Sequence, residues 1–133
     1  MTMKSLIVED DFTSRLLIQK LLIRYGECHM AVNGREAVTA FADAIRSREP
    51  YTLVCLDILM PELDGHQALK EIRSLEENNG IMIGDGVKII MTTALGDMNN
   101  KLAAIHEACD AYLVKPIDGH KMLETLQRFK LID

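Results

Sequence analysis

The sequence contains few of the residues that stabilise small secreted domains. It has no tryptophan, three phenylalanines, three tyrosines, three prolines and three cysteines among 133 residues. Three cysteines cannot all pair with one another, so we expect Cys28, Cys55 and Cys109 to be small side chains buried in a protein of the reducing cytoplasm. His106 and Cys109 lie three residues apart on a predicted helix, but no second pair completes a tetrahedral metal site.

Long apolar runs and an excess of positive charge are also missing. No apolar run approaches the roughly 18–20 residues that span a membrane. The start, MTMKSLIVEDD, has only a short apolar run that meets three acids at once, which is unlike a signal peptide. With 15 Lys and Arg against 20 Asp and Glu, the net charge is -5, which disfavours nonspecific binding to nucleic acid. We therefore expect a cytoplasmic protein that binds neither a membrane nor nucleic acid.

Short apolar segments alternate with segments of helical periodicity along the chain. Because LVCL and KIIM are continuously apolar, they are typical of strands covered on both faces. The alternation predicts a doubly wound α/β fold, a five-stranded parallel sheet with helices on both faces. No linker or repeat is visible, so we expect a single domain over residues 1–133. The predicted strands are 3–8, 28–32, 51–56, 87–93 and 111–114, and the predicted helices are 12–26, 35–48, 65–77, 97–108 and 118–129.

Polar side chains follow four of the five predicted strands. Ligands of open parallel sheets bind outside the carboxyl ends of the strands, so these side chains are expected to converge on one edge. They are Glu9, Asp10 and Asp11 after the first strand, Asp57 after the third, Thr92 and Thr93 at the end of the fourth, and Lys115 after the fifth. The polar, glycine-rich segment EENNGIMIGDG (76–86) runs from a helix into a strand, so it does not have the order of a phosphate-binding loop.

An acid that ends a buried strand, as Asp57 does, requires a partner that offsets the cost of removing charge from water. Clustered carboxylates repel one another, and a divalent cation with oxygen ligands, such as Mg²⁺, removes that repulsion. Such a site lacks only an anion, and a phosphoryl group would be met by the metal, Lys115 and Thr93. Asp57 would then be the nucleophile that carries it. The simpler alternatives are a helix-capping role for the acids and ordinary surface or strand-end roles for Lys115 and Thr93.

Four motifs in order, LIVEDD, LDILMPELDG, IIMTTA and AYLVKP, resemble the receiver domain of two-component response regulators of the chemotaxis-regulator type. The resemblance covers residues 3–130 and implies a flavodoxin-like strand order 2-1-3-4-5. It also implies that Asp57 is the phosphoacceptor and that Mg²⁺, or another divalent cation such as Mn²⁺, binds Glu9, Asp10, Asp57 and the carbonyl of Leu59. Thr93 and Tyr112 would be the switch residues, Lys115 the phosphate-binding lysine, and the Lys115–Pro116 bond is often cis in such domains.

The resemblance further implies how the chain acts. A sensor histidine kinase or a histidine phosphotransfer protein would donate the phosphoryl group, and an unidentified protein would bind the face formed by residues 97–130. The protein would be a signalling phosphoacceptor and not a conventional enzyme, and its start and stop favour a stand-alone protein.

Two alternatives remain at this stage. The first is an aspartyl phosphohydrolase, which usually needs a second acid where this chain has Leu59. The second is a constitutive interaction module with a vestigial pocket. The chain departs from the family pattern at Ala108, where glycine is common, at the apolar Leu59 and in its long loop at 76–86.

Overall fold

The sheet of the computed structural model has five parallel strands in the order β2-β1-β3-β4-β5, as the sequence predicts. The structure describes residues 3–60, 62–82, 84–94 and 109–133. The predicted helix at 97–108, with His106 and Ala108, and the turn residue Pro61 lie outside these residues. The strands are β1 (Met3–Val8), β2 (Gly26–Ala31), β3 (Leu53–Asp57), β4 (Lys88–Thr93) and β5 (Ala111–Val114).

Four helices begin with a side-chain cap that accepts a hydrogen bond from the first turn. Asp64 and Gln67 form a reciprocal capping box at the start of α3. Asp11 caps α1 through Ser14 N, so this acid has the capping role that the sequence left open. In the described ranges, the α-helices are α1 (Phe12–Leu22, capped by Asp11), α2 (Gly34–Arg46, capped by Asn33), α3 (Gly65–Asn78, capped by Asp64) and the C-terminal helix (Gly119–Arg128, capped by Asp118).

The last turn of the first helical segment differs from the prediction, because it is a 3₁₀ turn and not α-helix. α1 ends at Leu22, a single 3₁₀ turn covers Ile23–Tyr25, and Gly26 already belongs to β2. Gly26 caps this turn and therefore ends the helical run, as the sequence predicts, and it is also the first residue of β2. Gly26 passes so close to β1 that a Cβ there would lie 1.8 Å from the carbonyl oxygen of Met3, and that approach lets the strand pair begin.

Apolar side chains form one core on each face of the sheet, as expected for strands that are covered twice. In β3, Val54 and Leu56 contribute to one core, whereas Leu53 and Cys55 contribute to the other. The first core is completed by α2 and α3, and the second by α1 and the C-terminal helix. The three cysteines are free; Cys55 is buried, as expected, and burial raises its pKa to about 12, whereas Cys28 and Cys109 are only partly buried.

The segment predicted as a loop from residue 76 begins as helix. α3 continues to Asn78, and the side chain of Glu76 is 6 % exposed. Its Oε2 accepts a hydrogen bond from Val87 N at 2.6 Å, and its Oε1 accepts one from Arg73 Nη1 at 2.7 Å. Glu76 therefore connects α3 to the start of β4. Hydropathy could not indicate this burial, because a glutamate followed by another glutamate is expected to be exposed to solvent.

Candidate functional site

The register of the sheet brings the polar strand ends together. Val8 of β1 pairs with Leu56 of β3, and Asp57 pairs with Thr92 of β4. Glu9 therefore follows β1 at the level at which Asp57 ends β3. Thr93 pairs with Val114, and Lys115 follows directly. The structure therefore brings the polar strand ends together at the carboxyl edge of the sheet, as the sequence predicts.

Three carboxylates lie within reach of one cation. Glu9, Asp10 and Asp57 each offer an oxygen atom, and these atoms all lie within 4.8 Å of one another. Glu9 is fully buried, Asp57 is 5 % exposed, and Asp10 faces solvent. This set of hard oxygen donors with one exposed member fits a divalent ion such as Mg²⁺, which commonly keeps part of its hydration shell.

Lys115 lies between two of these acids. Its Nζ is 2.5 Å from Glu9 Oε1 and 3.1 Å from Asp57 Oδ2, so the shorter contact is to Glu9. Burial alone would lower the pKa of Lys115, but the two carboxylates outweigh burial and raise it. The lysine is therefore a cation at neutral pH and the counterion of the acidic cluster.

Each carboxylate oxygen of Glu9 has a different partner. Burial raises the pKa of this carboxyl group, Lys115 opposes that effect, and Asp57 adds to it. Oε2 accepts a hydrogen bond from Asp11 N at 3.1 Å. Oε1 lacks a hydrogen bond of normal geometry within the described part of the chain, although the Lys115 ammonium lies at ion-pair distance. The distance identifies this contact as an ion pair, and the ammonium is therefore the charge that offsets the burial of this oxygen.

The loop after Asp57 is fixed by two glycines. Gly65 N donates to the carbonyl oxygen of Ile58 at 2.9 Å, and a Cβ at Gly65 would lie 2.1 Å from the carbonyl oxygen of Asp57. Gly34 N donates to the carbonyl oxygen of Leu63 at 3.0 Å, where a Cβ would come within 2.0 Å. Each glycine is the first residue of a helix, as the sequence predicts for Gly65, and it allows the backbone of this loop to pack closely.

The fourth and fifth strands position the hydroxyl and the lysine. Lys115 N donates to the carbonyl oxygen of Thr93 at 2.7 Å, which fixes the two residues side by side. Thr93 is buried, and its Oγ1 donates to the carbonyl oxygen of Ala94 at 3.2 Å. Tyr112 is half-buried against the core shared with α2 and α3. The Lys115–Pro116 bond is cis, as the resemblance implied.

Two further residues frame the acidic edge. Arg15, which the sequence did not single out, donates from Nη1 to the carbonyl oxygen of Glu9 at 2.9 Å. The feature of the sequence that could have indicated this contact is the position of the arginine, one turn into the helix that follows Glu9. Leu59 follows Asp57 by two residues, and its side chain is exposed, whereas the position of its carbonyl as a metal ligand stays a prediction.

A cavity of about 730 Å³ lies elsewhere in the fold. Its lining includes Arg73, Met82, Val87 and Asp110, which are near the amino ends of β4 and β5. It is therefore distant along the strands from the acids. Across the described ranges, no helix combines the length and the apolar character needed to cross a membrane.

Comparison with known proteins gives consistent matches. A sequence model of the response regulator receiver domain matches residues 5–127. The chain is 32 % identical over 130 residues to the chemotaxis protein CheY of Bacillus subtilis, covering 96 % of this chain and 98 % of that protein. It is 34 % identical over 120 residues to the probable transcriptional regulator ycf27 of Cyanophora paradoxa, covering 90 % of this chain and 44 % of that regulator. The chain thus spans less than half the length of some relatives.

Solved structures give the same result. The Mg²⁺ complex of the receiver domain of the histidine kinase CKI1 from Arabidopsis thaliana has a TM-score of 0.83 at 25 % identity, covering 96 % of this chain and 91 % of that one. The receiver domain of the Saccharomyces cerevisiae regulator Ssk1, crystallised with the histidine phosphotransfer protein Ypd1, has a TM-score of 0.77 at 28 % identity, covering 95 % and 87 %.

Proposed function

The chain belongs to the response regulator receiver domain family, and on that premise we propose that Asp57 accepts a phosphoryl group and so switches the protein between two signalling states. The observation that carries this proposal is the position of Asp57. It ends a buried strand, lies within 4.8 Å of two other carboxylates, and contacts a lysine ammonium at 3.1 Å. An acid in that place has the partners that phosphoryl transfer requires, and an acid with a purely structural role would not need them.

We propose that Glu9, Asp10, Asp57 and the carbonyl of Leu59 hold a divalent cation, with Mg²⁺ the expected ion and Mn²⁺ a substitute. The oxygen-only donor set, in which one oxygen atom from each of the three carboxylates lies within 4.8 Å of the others, supports this assignment. When bound, such an ion supplies positive charge for the phosphoryl oxygens. Because Lys115 is shared by two of the three clustered carboxylates, it does not by itself balance the charge of an added phosphoryl group.

The transfer itself requires little covalent chemistry from the protein. As the bond between phosphorus and a donor imidazole nitrogen breaks, a bond forms between phosphorus and a carboxylate oxygen of Asp57, and the electron pair returns to the imidazole. Lys115 neutralises charge on the phosphoryl oxygens, and the hydroxyl of Thr93 would donate a hydrogen bond to one of them. Thr93 must leave its contact with the Ala94 carbonyl to do so, which makes it the switch residue of the proposal.

The donor would be a sensor histidine kinase or a histidine phosphotransfer protein. The Ssk1 receiver domain, crystallised with Ypd1, is a structural relative that supports this class of partner. Phe12 and Leu59 flank the acidic edge with side chains that are 67 % and 47 % exposed, a surface suited to contact with another protein. The response would pass through Tyr112 to the face formed by residues 97–130, of which the structure describes 109–130.

The test is the mass of the intact protein after incubation with acetyl phosphate and Mg²⁺. We expect the wild-type protein to gain one phosphoryl group, Asp57→Asn to gain none, and chelation of the metal to abolish the gain. Asp85→Asn, an exposed acid in the loop before β4, is the matched control and should behave as wild type. An Asp57→Asn protein that is still phosphorylated would refute the assignment. Turnover of small phosphate esters would favour a phosphohydrolase.

A further inference from the structure

Lys115 serves two acids at once, and the arrangement is uneven. The ammonium lies 2.5 Å from Glu9 Oε1 and 3.1 Å from Asp57 Oδ2. A lysine whose only role was to meet a phosphoryl group on Asp57 would need no contact with Glu9. The closer contact therefore requires a separate explanation.

The burial of Glu9 provides that explanation. This side chain is fully buried, and a carboxylate removed from water needs a cation beside it. In the described part of the chain, Lys115 is the cation within ion-pair distance of Glu9. The lysine thus neutralises the carboxylate of Glu9, which is the role that a bound divalent cation would otherwise have.

We propose that Lys115 and a divalent cation compete for Glu9, so that cation binding releases the lysine from Glu9 and leaves it with Asp57 alone. This inference rests on the proposed function only in taking Glu9, Asp10 and Asp57 as the cation site. A positive ion bound to Glu9 repels the ammonium, whereas Asp57 still attracts it. The side chain is partly exposed, so it has room to move.

The consequence is an order of events at the site. Without a cation, Lys115 divides its charge between two acids, and the edge is poorly prepared for a phosphoryl group. With a cation, Glu9 no longer holds the lysine, whose charge is then directed to the oxygens of Asp57. The lysine thereby makes readiness for phosphoryl transfer depend on the cation.

The first test measures affinity for Mn²⁺ by calorimetry in the full chain. Competition predicts that Lys115→Met binds Mn²⁺ about fivefold or more tightly than wild type, the lower end of ordinary coupling between sites. Lys70→Met, which removes an exposed lysine of α3, is the control for net charge and should change affinity less than about twofold. In a Glu9→Gln background the gain from Lys115→Met should vanish. An unchanged or weaker affinity in Lys115→Met, or an equal gain in both backgrounds, would overturn the proposal.

A second test follows the lysine directly and does not depend on the affinity of the Glu9→Gln protein. Nitrogen-15 NMR of the ammonium group of Lys115 should show a resonance that shifts when Mg²⁺ is added to wild type. That resonance should shift far less when Mg²⁺ is added to Glu9→Gln. A Lys115 resonance that does not respond to saturating Mg²⁺ in wild type would refute the competition. Phosphoryl uptake at Asp57 with a static Lys115 would refute this inference alone and leave the proposed function intact.

Discussion

Two glycines in the same local sequence are predicted to differ strongly in how much stability they lose on substitution by alanine. Asp64-Gly65-His66 and Asp118-Gly119-His120 each place an Asp cap before a glycine that begins a helix. By helix propensity, Gly→Ala would stabilise either helix by up to about 1 kcal/mol. The surroundings differ, because a Cβ at Gly65 would lie 2.1 Å from the carbonyl oxygen of Asp57, whereas a Cβ at Gly119 would lie 3.1 Å from Leu21 Cδ2.

The expected magnitudes follow from these two distances. The Asp57 carbonyl is backbone and cannot rotate away, so Gly65→Ala falls at the upper end of the overpacking range, about 3 kcal/mol, offset by about 1 kcal/mol of propensity. A net loss of about 2 kcal/mol in a chain of 133 residues lowers Tm by about 7 °C. The Leu21 methyl group can turn aside, so Gly119→Ala should change the free energy of unfolding by less than about 1 kcal/mol.

Urea denaturation followed by circular dichroism measures both variants on the same scale. Phosphoryl uptake from acetyl phosphate provides a second readout, since Gly65→Ala displaces the backbone of Asp57 and should slow uptake, whereas Gly119→Ala should not. Equal stability of the two variants would show that Gly65 does not pack against the Asp57 carbonyl in solution. The conclusion that Gly65 holds the loop after Asp57 in place would then be wrong.

Three other predictions test the remaining features. Glu76→Ala should lower the free energy of unfolding by about 3 kcal/mol because it leaves Val87 N unpaired, while the exposed neighbour Glu77→Ala should stay within about 0.5 kcal/mol; denaturation in urea that gave equal losses would contradict this. Since burial raises the pKa of Glu9, the native state without metal binds more protons, so stability should fall as pH rises from about 4.5 through the raised pKa; Glu9→Gln should flatten the profile measured in chelator, and an unchanged slope would count against the shift. Cys55, with a pKa of about 12, should resist iodoacetamide in the native protein at pH 7 and react after unfolding, as peptide mass spectrometry would show; rapid native labelling would contradict its burial.

The sequence was sufficient for the fold and for the residues that converge. Continuously apolar strands predicted a sheet covered on both faces, and polar residues at the ends of four of the strands predicted Glu9, Asp57, Thr93 and Lys115 at one edge. These inferences succeed because the register of a parallel sheet carries every strand end to the same level. The strand order itself came from the family resemblance and is confirmed.

Contacts that depend on distance were beyond the reach of the sequence. Nothing in the residue pattern separates Gly65 from Gly119, because the difference lies in what packs against each backbone. The contact of Lys115 with Glu9 was likewise hidden, since strand ends specify neighbours but not which of two acids an ammonium approaches more closely. Glu76 was missed for a related reason, as its partner Val87 N is eleven residues away across a loop.

The anchoring of Glu76 also makes the segment before β4 a convenient place for a reporter group. Its two ends are held independently of its middle, by Ile81 N on the carbonyl oxygen of Glu76 at 2.9 Å and by Val87 N on the Glu76 carboxylate at 2.6 Å. Met82, at 71 % exposure, lies between these anchors, and the entropy cost of lengthening a closed loop grows slowly. A fluorophore or epitope tag attached at Met82 would sit at the amino end of the sheet and leave the acidic edge accessible to partner proteins.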